Sequence, residues 1–173
     1  MAQTPRDFFV TGLRNAHAME VEARELLERQ VERTSDYPEL RSRLKLHLEE
    51  THVQIDRIEE ILRSLGEAPS TLKDMSMSLM ANMSAFMHSI AADEVIKNML
   101  ANNMFENFEI GTYKSLIAMS HRAGVPAAET VLRSSLMEEV NMARWVCEHI
   151  EPITLSFLAK LEPHSLQAAQ GQR

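Results

Sequence analysis

The sequence predicts an all-α fold in which long helices pair as antiparallel hairpins. Three observations lead there. The 173 residues hold only five glycines and six prolines, too few turn-formers for a sheet-rich chain. Those breakers cut the chain into a few long segments. Inside the segments, apolar residues return at helical rather than alternating spacing.

The first helix is expected from about Thr4 or Pro5 to Thr34, since Asn15 to Arg33 contains neither Gly nor Pro. Ser35-Asp36-Tyr37-Pro38 then reads as a turn, with Pro38 suited to the first position of a second helix. Gly66 ends that helix after Leu65, and Pro69 follows. Asp93 to about Arg122 forms the third long helix, stopped by Gly124. Pro126 opens the last one, which reaches Leu155 or beyond, with Pro152 able to kink it. Between Pro69 and Ala92 lies TLKDMSMSLMANMSAFMHSI, with five of the twelve methionines. Methionine fills irregular gaps, so this segment reads as a packed crossover helix. Two hairpins joined by a crossover make a ferritin-like four-helix bundle. The whole chain, 1–173, is read as one domain with a frayed tail over about 162–173.

Composition excludes several functions. With 18 Lys+Arg against 25 Asp+Glu the formal charge is −7 and there is no basic run, which argues against nucleic acid as a partner. No stretch approaches the roughly 18 apolar residues of a membrane span. The opening MAQTPRDFFV lacks the pattern of a signal peptide, so a cytoplasmic location is expected. Cys147 is the single cysteine, which rules out an internal disulfide and a thiolate zinc site.

The acidic residues carry the functional signal. At about 100° per residue, Phe9, Leu13, Ala16, Ala23 and Leu27 form one stripe with Glu20 at its centre, and Glu22, Glu25 and Glu28 fall outside it. On the second helix, His47 and Gln54 flank the apolar seam, and Glu50 lies slightly further round. Glu49 and His52 have the literal Glu-x-x-His spacing, but they share a strip with Lys45 and Asp56 that reads as surface. The third helix places Glu106 within its seam and Glu109 one turn on. The last places Glu139 within its stripe and Glu138 at the edge. Counting outward from the turns sets Glu20 level with Glu50, and Glu109 level with Glu139. Carboxylates at one depth in a core repel, and a divalent or trivalent cation relieves them. Oxygen ligands with some imidazole suit iron or manganese. The metal ligands are therefore expected to be Glu20, Glu50, Glu106, Glu109 and Glu139, with His47 either a further ligand or a core histidine, holding two irons per chain, with manganese as the alternative.

At these residues the chain resembles the YciE/YciF family of bacterial ferritin-like proteins. HLEETHVQIDRIEEIL, ENFEIGTYKSL and Leu136-Met137-Glu138-Glu139 carry the resemblance, which runs from about Asp7 to Val146. The family's glutamate on the first helix falls on Glu20, and its second-helix block on His47, Glu50, Thr51 and Gln54. Its third-helix pair falls on Glu106 and Glu109, and its last-helix glutamates on Glu138 and Glu139. This chain has Asn107 where the family commonly has His, and Val140, Asn141, Met142 and Ala143 where Lys and Asp residues are common. Met142 also stands where a ferritin would place His. The resemblance implies a ferritin-like dimer associated with stress responses, with no settled reaction.

Two functions follow as expectations. One is a dinuclear metal protein exchanging electrons between iron and oxygen or peroxide. The other is a non-enzymatic stress or structural protein on the same bundle. Enzyme status stays open, and no catalytic residue is assigned. A homodimer is expected, with the apolar faces of Leu72 to Ile90 and a neighbouring long helix in its interface.

Overall fold

The computed structural model describes residues 3–69 and 94–170, with side chains as far as 161. Among these residues the chain forms four helices and no strand: α1 Pro5–Arg33, α2 Pro38–Ser64, α3 Glu94–Arg122 and α4 Ala128–Gln170. The expected crossover helix, including Leu72 to Ile90, lies outside the described residues.

Local chemistry sets the ends. Thr4 caps α1, accepting from the Asp7 backbone N–H while the Asp7 carboxylate accepts from the Thr4 backbone, and Pro5 opens the first turn. Beyond α2, Gly66 adopts φ +74°, and Glu67 N–H returns to the Leu62 carbonyl at 3.0 Å. Gly124 repeats this after α3, again at φ +74°, with Val125 N–H on the Ser120 carbonyl at 2.9 Å. Both stops need a left-handed residue, which glycine supplies without a Cβ clash. After Gly124 the chain makes one further turn through Pro126, so α4 begins at Ala128. It continues helically to Gln170, through most of the segment expected as a frayed tail. Pro152 lies within it and cannot donate to the carbonyl four residues earlier.

The helices form a ring in which α1 adjoins α2 and α3, and α4 adjoins α2 and α3. Arg14 near the start of α1 binds the Ala68 carbonyl at 3.0 Å, whereas Arg33 at its end meets Glu94 at 3.0 Å. The chain therefore leaves α2 at one end of the bundle and enters α3 at the other. That topology is two antiparallel hairpins. Gly12 allows α1 and α3 to approach closely, since a Cβ there would stand 3.0 Å from Leu116 Cδ2.

Two apolar clusters fill the ring. One contains Phe9, Leu13, Ile58, Leu62, Tyr113, Leu116 and Leu132, and the other Leu27, Leu40, Leu44, Met99, Met142 and Val146. Between them sits a polar layer of Glu20, His47, Thr51, Gln54, Glu106, Glu109 and Glu139, all buried.

Candidate metal centre

Each helix brings at least one polar side chain to that layer. Four of the buried residues, His47, Glu106, Glu109 and Glu139, each offer one ligand atom, and these atoms all lie within 4.8 Å of one another. His47 Nε2 stands 3.3 Å from Glu106 Oε2 and 3.4 Å from Glu139 Oε2. Its other nitrogen, Nδ1, contacts Glu50 Oε2 at 2.9 Å. A carboxylate only accepts, so Nδ1 is the donor and Nε2 is the nitrogen turned toward the buried carboxylates. A carboxylate behind a histidine in this way fixes the ring for metal binding through the inner nitrogen.

Glu20 is fully buried beside this group and accepts a 2.6 Å hydrogen bond from the Tyr113 hydroxyl. Glu50 is less enclosed, with 23% of its side chain exposed, and it also meets Arg43 Nη1 at 3.3 Å. On α4, Glu138 is gripped by Arg57 through Nη1 at 2.6 Å and Nη2 at 3.0 Å. Gln54 Nε2 donates to both Glu138 and Glu139.

The charges are strained by this packing. Burial raises the Glu20 carboxyl to about 8, against the opposing Tyr113 hydrogen bond. Burial, then the charges of Glu139, Glu20 and Glu106, hold Glu109 well above the carboxylate range. Glu139 is raised by burial and by Glu20, with His47 opposing. For His47, burial disfavours the imidazolium, but Glu106, Glu50 and Glu139 outweigh it and raise the value. Burial and Glu20 raise the Tyr113 hydroxyl. Burial also works against the Glu50 carboxylate, yet His47 and Arg43 prevail and lower its value.

The layer is short of positive charge and of donors. Glu20 Oε2, Gln54 Oε1, Glu106 Oε2, Glu109 Oε2 and Glu139 Oε2 are buried without a hydrogen-bond partner. Orphaned buried oxygens are costly unless something absent from the chain satisfies them. Five such oxygens with one imidazole fit a hard metal ion of the iron or manganese kind.

A family model described as a domain of unknown function, DUF892, matches residues 4–159, nearly the whole chain. The chain belongs to the DUF892 family. Protein YciF of Escherichia coli strain K12 is 28% identical to this DUF892 chain over 148 residues, covering 79% of the chain and 84% of YciF. A crystal structure of a protein from Xanthomonas campestris pv. campestris is 31% identical, spans 91% of this chain and 98% of its own, and superposes with a TM-score of 0.78. YcfI from Rhodopseudomonas palustris is 25% identical, covers 83% of this chain and 93% of its own, and gives a TM-score of 0.71. The crystal structure of the E. coli stress protein YciF, at 24% identity, covers 86% of this chain and 96% of its own with a TM-score of 0.72. These likenesses establish the resemblance to YciF and the four-helix fold.

The six expected ligands are thus placed unequally. His47, Glu106, Glu109 and Glu139 come together, Glu20 borders them, and Glu50 sits at the edge behind His47. Glu49 and His52 are exposed, as their strip suggested. Glu22 requires a correction: it was placed outside the buried stripe, yet it is 5% exposed and its Oε1 has no partner. The reason is that α1 is buried around its whole circumference from Ala16 to Ala23, so no single stripe describes that stretch. Tyr113 and Arg57 were missed as partners of the carboxylates. Tyr113 lies four residues beyond Glu109 on α3, and only its hydroxyl signals a polar role. Met142, where a histidine ligand would stand in a ferritin, is fully buried in an apolar cluster.

Proposed function

We propose that the chain is a metal-binding protein that holds a dinuclear iron centre, or a manganese one, in its polar layer. His47, Glu106, Glu109 and Glu139 hold the metal, with Glu20 as a further carboxylate and Glu50 fixing the His47 ring. The observation supporting this reading is the set of five orphaned oxygens gathered in one layer. Bound iron would supply electron exchange with oxygen or peroxide. The chain's own part is to supply anionic oxygens, to hold the Tyr113 proton against Glu20 Oε1, and to exclude water with the two apolar clusters. In this reading the activity serves a stress response, a proposal suggested by the description of the similar YciF of Escherichia coli as a stress protein.

In the same reading the chain pairs as a homodimer. Leu100, Met104 and Phe108 stand exposed at four-residue spacing on α3 and supply apolar surface for it. Light scattering checks this: a mass near 20 kDa that holds constant on concentration would refute the pair.

A second reading keeps the bundle as a structural protein without turnover. Met142 in place of a histidine favours it, as does the provisional description of YcfI as a structural protein. Metal analysis separates the two. About two irons per chain after purification supports the first reading, and metal-free protein of undiminished stability supports the second.

A further inference from the structure

Two carboxyls of the buried layer have their oxygens divided in the same way. Glu20 Oε1 accepts from the Tyr113 hydroxyl at 2.6 Å, while Glu20 Oε2 has no hydrogen-bond partner among the described residues. Glu139 Oε1 accepts from Gln54 Nε2, while Glu139 Oε2 has no such partner and lies 3.4 Å from His47 Nε2. Glu20, Gln54, Tyr113 and Glu139 are all fully buried, so these two donors act without competition from bulk water.

The donors are also of one kind. Tyrosine and glutamine are neutral, so each fixes a carboxylate without cancelling its charge. A guanidinium does both, and arginine is what the part-exposed glutamates carry. Arg57 grips Glu138 through two nitrogens, and Arg43 meets Glu50. The Gln54 amide is itself held, since Nε2 also donates to Glu138 Oε2 at 3.0 Å. Carboxylates only accept, which settles which end of the amide faces them. Arg57 thus steadies Glu138, Glu138 steadies Gln54, and Gln54 steadies Glu139.

We infer that Gln54 and Tyr113 are positioning residues that present Glu139 and Glu20 to a bound cation through Oε2 alone. A carboxylate that offers one oxygen fills one coordination position rather than two. The two donors therefore set the coordination number of the cation as well as the orientation of its ligands. Glu138, neutralised by Arg57, serves as support and not as a ligand. This inference rests on the metal-binding reading above.

The test loads metal-free protein with Co2+, whose visible absorption reports coordination number and ligand arrangement. Gln54→Leu and Tyr113→Phe should each bind Co2+ about tenfold to a hundredfold more weakly than the wild type, with an altered visible band. Tyr113→Phe keeps the ring, so it carries the test even where Gln54→Leu does not fold, as circular dichroism shows. Gln30→Leu, which breaks a buried amide pair elsewhere in the bundle, should lower stability yet keep the wild-type affinity and band. Wild-type affinity and band in Gln54→Leu and Tyr113→Phe would overturn the inference. So would an equal change in Gln30→Leu, because the effect would then be one of stability alone. Wild-type protein that binds no Co2+, Fe2+ or Mn2+ would overturn the metal-binding reading itself, so the two failures are distinguishable.

Discussion

Two regions of this bundle bury polar side chains, and they do so in opposite ways. Between α1 and α3, Gln30 and Asn102 exchange hydrogen bonds, Gln30 Nε2 to Asn102 Oδ1 at 2.8 Å and Asn102 Nδ2 to Gln30 Oε1 at 2.9 Å. Both residues are buried and every atom of the exchange is paired. The carboxylate layer is also buried, yet it leaves five oxygens without a hydrogen-bond partner among the described residues and pushes several carboxyls upward. A closed amide pair contributes to the register of two helices and asks for nothing else. An open carboxylate layer is unfavourable alone and becomes favourable with a cation. The difference separates a polar contact serving the fold from one serving a ligand.

The strongest way to break the comparison is to remove a carboxylate. Glu139→Ala or Glu20→Ala should abolish metal retention, measured by elemental analysis after dialysis, whereas Glu49→Ala should leave it unchanged. Equal loss from Glu49→Ala and Glu20→Ala would show that burial does not select the ligands.

The pH dependence of the metal-free protein comes next. Glu20 has its value raised to about 8 from an ordinary 4.5, and Glu109, Glu139 and His47 are raised as well. A raised value means that the folded state binds the proton more tightly than the unfolded one. For Glu20, stability therefore falls as pH rises between about 4.5 and 8; Glu109 and Glu139 act in the same direction from 4.5 upward, and His47 from 6.5 upward. Thermal melts of metal-free protein should show Tm climbing as pH is lowered from 8 toward 5. Loaded protein should lack that climb, because the metal holds the carboxylates ionised. A metal-free Tm that is flat over this window would contradict the layer's electrostatics.

The amide pair gives a smaller effect of opposite logic. Gln30→Leu leaves Asn102 buried and unpaired, which should cost about 1–3 kcal/mol in denaturant unfolding. Adding Asn102→Leu should restore much of that loss while leaving metal retention as it was. Smaller again is Glu22, whose carboxyl is raised to about 7 by burial, with Glu25 adding and Arg29 opposing. Glu22→Gln should stabilise the protein by roughly 1 kcal/mol at pH 8 and have little effect near pH 4.5. Paired melts at the two pH values check it.

Much of this was legible from residue order alone. Gly66 and Gly124 marked both helix stops, and Pro5 and Pro38 marked two starts, because these residues act through local backbone geometry. Glu20, Glu106 and Glu139 were found by helical facing, and the turns set their common depth. Glu22 escaped because facing presumes a single buried side, and α1 is enclosed on every side there. The division of labour among the carboxylates was also hidden. Glu50 and Glu138 differ from Glu106 and Glu139 only in how far they lie from the seam and in which arginine reaches them. Arg43 and Arg57 make those pairings through side-chain reach, which spacing does not encode.

The open carboxylate layer is proposed as a metal site. Anomalous scattering from crystals grown with iron or manganese, recorded at each metal's absorption edge, tests it most directly. Peaks are expected among His47, Glu106, Glu109 and Glu139, bordered by Glu20. Peaks confined to the exposed Glu49 and His52 strip, or an inner layer that stays without an anomalous signal after reconstitution, would contradict it.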